Sequence, residues 1–246
     1  MPKSPNLLLA AILDADFHFV QKHFKTVDLK RGATLVEPKG KMNRVYFPHS
    51  GIISLVVQMI DGEHIETAMI GSDGALGAAL ALDGSISLNR ATVQLAGIAT
   101  VIDHKKVLEF GLCSPSFRSI VIQHGQVLFA EAQQSAACNA VHSAEDRMCR
   151  WLLRMRDLAD SDDLPLTQDF FAHMLGVRRT TVSAIAASLL KAGHISYSRG
   201  NVRILNITGL RAESCECYEA VKTNYTGLAK LKFARRSASK RQHLSS

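Results

Sequence analysis

The sequence predicts an α+β fold in which an antiparallel, jelly-roll-like β-roll is followed by a long helix and a C-terminal winged helix-turn-helix. Three observations support this prediction. Short apolar runs alternate with glycines from residue 26 to 102, glycine then becomes rare until Gly176, and two short helical patterns meet at that glycine. We expect domains at residues 1–112, 113–142 and 143–227, followed by a basic tail at 228–246.

The first hundred residues have the pattern of a small antiparallel β-domain. An amphipathic helical segment at residues 6–24 opens the chain, and the apolar runs that follow are separated by turns at spacings of roughly 8 to 12 residues, which is typical of a sandwich or barrel. Asp61 followed by Gly62 is a strong hairpin signal. The predicted strands include residues 44–47, 52–59, 65–70 and 91–95.

A long helix is predicted from Pro115 to about Val141. Proline suits the first turn of a helix, and apolar side chains then recur at helical spacing. At 1.5 Å per residue the segment is about 40 Å long, which exceeds what is needed to cover one small barrel. A homodimer seam is the expected use of the surplus length, and Glu131 and Gln134 would make that seam partly polar.

A separate C-terminal domain is expected to begin after this helix. Ser143 followed by Asp146 predicts a helix N-cap, which places the domain boundary near His142. Thr167 is the N-cap candidate of a later, short helix that ends at Gly176. Glycine can adopt the positive φ that a sharp turn between two helices requires.

A second short helix and a β-hairpin follow that turn. The helix is predicted from about Arg178 to about Lys191. Two runs, Ile195–Tyr197 and Val202–Ile207, then flank a tight turn at residues 199–201 and predict two short strands. Together these segments form the pattern of a helix-turn-helix with a wing.

The start of the second helix is rich in arginine and hydroxyl groups. No acidic residue occurs between Asp169 and Glu213. Arginine can pair with guanine edges, and arginine and hydroxyl groups can hold phosphates, so we expect this segment to bind double-stranded DNA. An ordinary helical hairpin in a core would be free to carry acids here. The candidate DNA-binding residues are Thr167, Gln168, Arg178, Arg179, Thr180, Thr181, Ser183 and Arg199.

The net charge of +7 is concentrated in the tail. Residues 1–142 carry 12 basic and 12 acidic side chains, residues 143–227 carry 11 and 10, and residues 228–246 carry six and none. Such a tail can add to nucleic-acid binding by releasing counterions from phosphates. A solvated, disordered terminus is an equally good interpretation.

Other classes of protein are not indicated. The longest apolar runs are too short to span a membrane and the N-terminus is unlike a signal peptide, so a cytoplasmic protein with no membrane partner is expected. No catalytic set of recognisable spacing occurs, which argues against an enzyme. Five cysteines in a chain of this length do not indicate a disulfide framework, and the Cys215-Glu216-Cys217 spacing is one residue short of a zinc knuckle with no second pair beside it in the sequence. No metal or cofactor is therefore predicted, although a redox role of Cys215 and Cys217 stays open.

The chain resembles the Crp/Fnr family of bacterial regulators. The strongest match is LTQDFFAHMLGVRRTTVSAIAASLLKAG at 166–193, and VYFPHSGIISLVVQMIDGEHIETAMIG at 45–71 is a looser match. The resemblance implies a cyclic-nucleotide-binding-like β-roll, a dimerisation helix, an inverted-repeat DNA site and contact with RNA polymerase. Arg179, Thr181 and Val182 fit the family's recognition helix. Thr180 replaces the usual base-contacting glutamate and Ala184 a further arginine, so a different operator is expected.

The effector is left open by this resemblance. Relatives that bind cyclic nucleotides carry a Gly-Glu pair and an arginine, whereas this chain has Gly71, Ser72 and Asp73 at the first place. If the following strand is aligned with the family on Ala91 and Val93, Arg90 lies one position out of register, which turns it to the opposite face, so no affinity for cyclic AMP or cyclic GMP is expected. Ser72, Asp73 and Arg90 are nevertheless the candidate ligand-binding residues.

Three alternatives remain for what the β-roll does. A cyclic-nucleotide-responsive regulator is one, and a ligand-sensing β-roll that acts on a protein partner is another. Haem ligation by histidine is the third. An N-terminal iron-sulfur cluster is not supported, because no cysteine precedes Cys113. The histidines considered for haem are His18, His23, His49 and His64.

Overall fold

The structure is a computed structural model that describes residues 5–12, 21–60, 64–82, 86–198 and 200–227. Several features predicted from the sequence lie outside these ranges, namely the turn at 61–62, His18, Arg199 and the basic tail at 228–246. None of the helices in the described part of the chain is long and apolar enough to cross a membrane.

The N-terminal domain is an antiparallel β-roll, as predicted. Its strands within the described ranges are β1 (Lys25–Leu29), β2 (Thr34–Val36), β3 (Arg44–Pro48), β4 (Ile52–Gln58), β5 (His64–Ile70), β6 (Arg90–Leu95) and β7 (Gly97–Asp103). One sheet has the order β1-β7-β3 and the other β2-β6-β4-β5. Every pairing between these strands is antiparallel.

Apolar side chains fill the interior of the roll and the space beneath the helices. Ala99 of the first sheet packs in one cluster with Ile53 and Val93 of the second sheet. Phe47 of β3 belongs to a second cluster, which a helix at 7–12 (α1), α2 (His104–Cys113) and the start of the long helix complete. Burial of these alternating apolar side chains is what gives the strands their register.

The long helix, α3 (Pro115–Val141), has the predicted bounds. Its start is defined by Ser114, whose side-chain oxygen accepts the N–H of Phe117, and by the proline in its first turn. Its end is defined by His142, whose backbone N–H donates to the carbonyl of Cys138. One helix therefore ends and the next begins close to His142, where the sequence predicts a domain boundary.

The prediction that Glu131 and Gln134 belong to a dimer seam is wrong. Glu131 is only 3% exposed and accepts a hydrogen bond from Tyr225 of the same chain, while Gln134 donates to Cys217 Sγ. Both side chains face the C-terminal domain of their own chain, because the end of that domain folds back onto α3. Helical spacing alone cannot show which side of a helix this returning segment covers.

The C-terminal domain is a winged helix-turn-helix. It contains α4 (Ala144–Ala159), β8 (Asp163–Leu164), α5 (Gln168–Leu175), α6 (Arg179–Lys191), β9 (Ile195–Ser198), β10 (Asn201–Ile204), α7 (Ile207–Ala212) and a helix at 217–227 (α8). The strands form a small sheet of order β8-β10-β9. Trp151, Phe171, Val182 and Ile195 share one apolar core with Met69 of the β-roll.

Local sequence signals explain most of these boundaries. Ser143 and Asp146 form a reciprocal capping box at the start of α4. The Thr167 side chain accepts the N–H of Phe170 and caps α5. The predicted second strand of the wing was too long, since Asn206 caps a helix that begins at Ile207.

Candidate nucleic-acid interface

Gly176 forms the sharp turn between α5 and α6. Its φ is +61°, the left-handed conformation that the sequence predicted. Gly176 N–H donates to the carbonyl of His173 and Val177 N–H to that of Ala172, at 3.2 and 3.0 Å, which closes α5. A Cβ at this position would also lie 3.2 Å from Cδ1 of Ile65, so the turn sits close against the β-roll.

The N-terminus of α6 carries exposed cationic and hydroxyl side chains. Arg178 occupies its N-cap position and makes no side-chain cap bond. The Arg179 side chain is 66% exposed, and its NH1 lies 3.2 Å from Oδ1 of Asp169, which is also exposed. Thr180 is exposed beside it. An ion pair in this setting contributes at most about 1 kcal/mol, so Arg179 can leave Asp169 for another acceptor.

The start of α5 and the wing lie beside this surface. Ser183 Oγ donates to Oε1 of Gln168 at 2.8 Å and joins the two helices. A Cβ built on Gly200 would lie 3.3 Å from Cγ2 of Thr167, which places the turn of the wing next to the first residue before α5. The predicted residues that this arrangement brings together are Thr167, Gln168, Arg178, Arg179, Thr180, Thr181 and Ser183.

Trp151 anchors the helix-turn-helix to the β-roll. Its ring is 1% exposed and packs against Phe170 and Phe171, with centroids 5.5 and 5.2 Å away. Its Nε1 donates to Oε1 of Glu66 on β5 at 2.6 Å, and the second oxygen of that carboxyl group bonds to Ser54 on β4. A polar contact thus crosses the junction between the two domains, and sequence analysis missed it.

Glu66 is buried at this junction and is difficult to ionise. Removal of the carboxyl group from water raises its pKa to about 8, although the hydrogen bonds from Ser54 and Trp151 act in the opposite direction. The folded protein therefore holds a proton on Glu66 at pH values where the unfolded chain, with a pKa near 4.5, releases it.

A pH-dependent contribution to stability follows from this shift. The free energy of unfolding is expected to fall as the pH rises from about 4.5 to about 8, because in this range the folded protein binds a proton on Glu66 that the unfolded chain has released. Glu66→Gln keeps both neighbours hydrogen-bonded but cannot ionise, so its denaturation midpoint should fall less across this window. Glu109→Gln, at an exposed site, should follow the wild type. Parallel pH profiles for Glu66→Gln and the wild type would contradict the assignment.

A second buried network joins α3, α4 and α8. Arg154 NH1 lies 2.8 Å from Oδ2 of Asp73, and its guanidinium stacks over the Tyr225 ring at 4.3 Å. Tyr225 donates its hydroxyl to Glu131 at 2.7 Å. Asp73, a candidate ligand residue in the sequence, is thus the ion-pair partner of a helix in the C-terminal domain, and Ser72 precedes it in the same turn.

Arg90 lies away from that turn. It begins β6 opposite Val56, whereas Ile70, which precedes the turn, pairs with Ile53 further along β4. Its side chain contacts Glu37 and His64 at 2.8 and 2.6 Å. The structure does not bring Ser72, Asp73 and Arg90 together as one ligand site, because they lie toward opposite ends of the sheet.

The outer face of this sheet forms one wall of a cleft. Ala91 and Val93 point into the core, so Arg90 lies on the opposite face, as its register predicted. The cleft has a volume of about 420 Å³. It is lined on the β-roll side by Arg31, Thr34, Arg90 and Gln94 and on the helix side by Phe170 and Met174 of α5. A ligand here would touch both domains.

The histidines considered for haem have separate protein partners. His49 bonds to Thr100, His64 to Arg90, and the His23 ring packs against Phe110. Burial lowers the pKa of His49. Among the described residues no pair of these histidines shares a contact that would favour a haem site.

Cysteines and one histidine meet at the end of α3. The potential ligand atoms of Cys138, His142, Cys215 and Cys217 all lie within 4.8 Å of one another. Sequence analysis found only the last two and missed the second pair, whose one signal was the four-residue spacing from Cys138 to His142 on a helix. Burial raises the pKa of the Cys138 and Cys215 thiols, which disfavours a reactive thiolate without a bound cation.

Comparison with known proteins identifies the domain and the fold. Residues 146–213 match the Crp-like helix-turn-helix domain. None of the curated proteins matches this sequence. Among solved structures, the chain is similar to FixK2 from Bradyrhizobium japonicum, with a TM-score of 0.67, 14% identity, and coverage of 78% of this chain and 98% of that one.

Two further solved structures show the same similarity. A CRP/FNR family transcriptional regulator from Thermus thermophilus has a TM-score of 0.64 and 22% identity, over 79% of this chain and 98% of its own. A crp/fnr family regulator from Eubacterium rectale has a TM-score of 0.65 and 15% identity, over 80% and 93%. The similarity therefore extends across the β-roll, the long helix and the winged domain.

Proposed function

We propose that this chain, which has the fold of the Crp/Fnr regulators and a Crp-like helix-turn-helix domain, is a sequence-specific DNA-binding transcriptional regulator. The observation that carries the proposal is the exposed N-terminus of α6, where two arginines and three hydroxyl side chains are concentrated. A helix N-terminus with free N–H groups and neighbouring cations favours phosphate, and the adjoining side chains can reach base edges.

Different side chains would have different tasks at this interface. Arg179, exposed and held only by a surface ion pair, is the candidate for pairing with a guanine edge. Arg178 and Thr181 would hold phosphates. Thr167, Gln168 and the residues of the wing, including Arg199, would contact the backbone beside them. Only the contact of Arg179 with a base edge would select a DNA sequence.

A homodimer would place two such surfaces on one DNA molecule. Ile122 and Phe129 of α3 are 47% and 65% exposed and are separated by seven residues, the spacing of a coiled-coil seam. Two chains paired along this face would read two inverted half-sites about one helical turn apart. RNA polymerase would be the further partner of a regulator of this kind.

The β-roll would regulate DNA binding through its contacts with the C-terminal domain. The cleft beside α5 and the hydrogen bond from Trp151 to Glu66 both join the sheet to the helix-turn-helix. A ligand that binds one arrangement of the domains better than another would shift their populations. The outward position of Arg90 argues against a cyclic nucleotide inside the roll.

Selection of bound sites from a random DNA pool tests this function. The wild type should enrich an inverted repeat, and Arg179→Ala should flatten the preference at one base position in each half-site, because a bidentate contact to guanine contributes about 1 to 3 kcal/mol. Arg44→Ala removes the same charge from the β1-β7-β3 sheet of the β-roll, outside the proposed interface, and is the matched control.

Two results would refute the assignment. The first is failure of the full-length protein to enrich any sequence. The second is an unchanged sequence preference in Arg179→Ala, which would move recognition away from α6. Equal loss of preference in Arg44→Ala would show that the effect comes from net charge alone.

A further inference from the structure

Four potential metal ligands converge from two distant segments. Cys138 and His142 lie one turn apart at the end of α3, whereas Cys215 precedes α8 and Cys217 begins it. Cys138 Sγ is 3.6 Å from Cys215 Sγ, and Cys217 Sγ is 3.6 Å from Nδ1 of His142. The three cysteines are at most 8% exposed and form a cluster of their own.

These distances are those of a tetrahedral ion site. With Zn–S bonds of about 2.3 Å and Zn–N bonds of about 2.0 Å, neighbouring ligand atoms of a tetrahedron lie about 3.8 Å apart for two sulfurs and about 3.5 Å apart for sulfur and nitrogen. Two of the observed spacings match these values, and all four ligand atoms lie within 4.8 Å of one another, so only small side-chain movements would complete the tetrahedron. They are too long for a disulfide, whose sulfur atoms lie about 2.05 Å apart.

The surrounding side chains orient the candidate ligands. His142 has Nδ1 toward Cys217, while its Nε2 lies 3.3 Å from Oε2 of Glu216. This is the arrangement in which a carboxylate holds the tautomer that binds a metal through the other nitrogen. Gln134 Nε2 donates to Cys217 Sγ at 3.0 Å and would stabilise a thiolate there.

Two buried arginines supply positive charge beside the cluster. Arg147 and Arg150 of α4 are each 9% exposed, and both interact electrostatically with Cys138. Within the described part of the chain, the Nε atoms of both arginines have no hydrogen-bond partner. Three thiolates and a divalent ion carry a net charge of −1, which these guanidinium groups would offset.

We propose that Cys138, His142, Cys215 and Cys217 bind one Zn²⁺ ion per chain. Three thiolates and one imidazole form a closed ligand set of the structural type, with no position left for a substrate. The set lacks the oxygen ligands that Mg²⁺ and Ca²⁺ require. An iron-sulfur cluster fits less well, because thiolates on different irons lie further apart than thiolates on a single ion.

The position of the site indicates a structural role for the ion. Two ligands precede the boundary between the long helix and the C-terminal domain, and two follow the helix-turn-helix and wing. Zn²⁺ would therefore fasten the end of the C-terminal domain to α3 and restrict its movement about His142. This site does not depend on DNA binding, so its test and that of the proposed function can fail independently.

Metal analysis of the full-length protein tests the proposal. Protein purified under reducing conditions without chelator should contain about one zinc per chain by mass spectrometry of the metals. Replacement with Co²⁺ should give the thiolate charge-transfer and intense visible bands of a tetrahedral sulfur-rich site. Cys215→Ser and Cys217→Ser should lose most of the zinc and the Co²⁺ spectrum.

Cys113→Ser and Cys149→Ser are the matched controls. Cys113 is exposed and Cys149 is buried, and both lie outside the cluster, so both variants should retain the metal. Chelation should lower the melting temperature of the wild type and of the controls but not that of Cys215→Ser. Absence of zinc together with failure of the wild type to bind Co²⁺ would overturn the proposal. A Cys138–Cys215 disulfide in freshly isolated protein would also overturn it, and so would equal metal loss in Cys113→Ser.

Discussion

Replacing Phe129 with aspartate is expected to separate the proposed dimer into monomers. The Phe129 side chain is 65% exposed in the single chain, so the substitution leaves the protein's own core intact. In a parallel pair of helices it would place two carboxylates opposite each other in an apolar seam. Loss of the second half-site contact should lower the affinity for an inverted repeat by about a hundredfold or more.

Light scattering and DNA titration measure these two effects on the same samples. Leu88→Asp is the matched control, because Leu88 is 79% exposed in the β-roll and lies outside α3. The control should remain dimeric and bind DNA like the wild type. A dimeric Phe129→Asp at micromolar concentration would place the interface on another surface.

The neighbouring Leu128 shows what helical spacing could not predict. Both positions are apolar, but the structure packs Leu128 against the apolar cluster of the β-roll, whereas Phe129 faces away. Leu128→Asp would therefore destabilise the fold instead of dissociating a dimer. The period of a helix can be predicted from its own residues, yet the choice of face depends on segments that return to it from far along the chain.

Buried polar residues on α3 show more clearly that the buried face of a helix cannot be predicted from its own residues. His124 and Glu131 sit on the inward face, seven residues apart, where a sequence pattern favours apolar side chains. His124 accepts the N–H of Ala75, and burial lowers its pKa to about 4, so it stays neutral. Glu131 is satisfied by Tyr225. Their burial is possible only because partners 49 and 94 residues away complete their hydrogen bonds.

Signals confined to a few residues were sufficient for much of the fold. The capping box at Ser143, the cap at Thr167 and the positive φ at Gly176 each depend on neighbouring backbone, and the structure contains all three. The cationic start of α6 is equally local, because its side chains are consecutive in the sequence. In contrast, the Cys138 and Cys215 pair spans 77 residues, so its convergence follows from tertiary packing alone.

Trp151→Ala is expected to lower the free energy of unfolding by about 3 to 5 kcal/mol, the usual cost of removing a large buried aromatic side chain. Two losses combine in this variant. The substitution leaves a cavity beside Phe170 and Phe171, and it removes the hydrogen-bond donor from buried Glu66. Because Trp151 joins α4 to β5, the β-roll and the helix-turn-helix should also become less tightly coupled.

Denaturant unfolding of four variants at fixed protein concentration separates these losses. Trp151→Phe loses the donor and part of the ring volume but retains most of the apolar surface, so it should cost clearly less than alanine. If the hydrogen bond to Glu66 carries the difference, Glu66→Leu and Trp151→Phe should be non-additive in the double variant, because Glu66→Leu removes the acceptor and Trp151→Phe removes the donor of one contact. Additive costs would show that the indole stabilises the junction through packing alone. A Trp151→Ala cost below about 1 kcal/mol would contradict the position of this ring in the shared core.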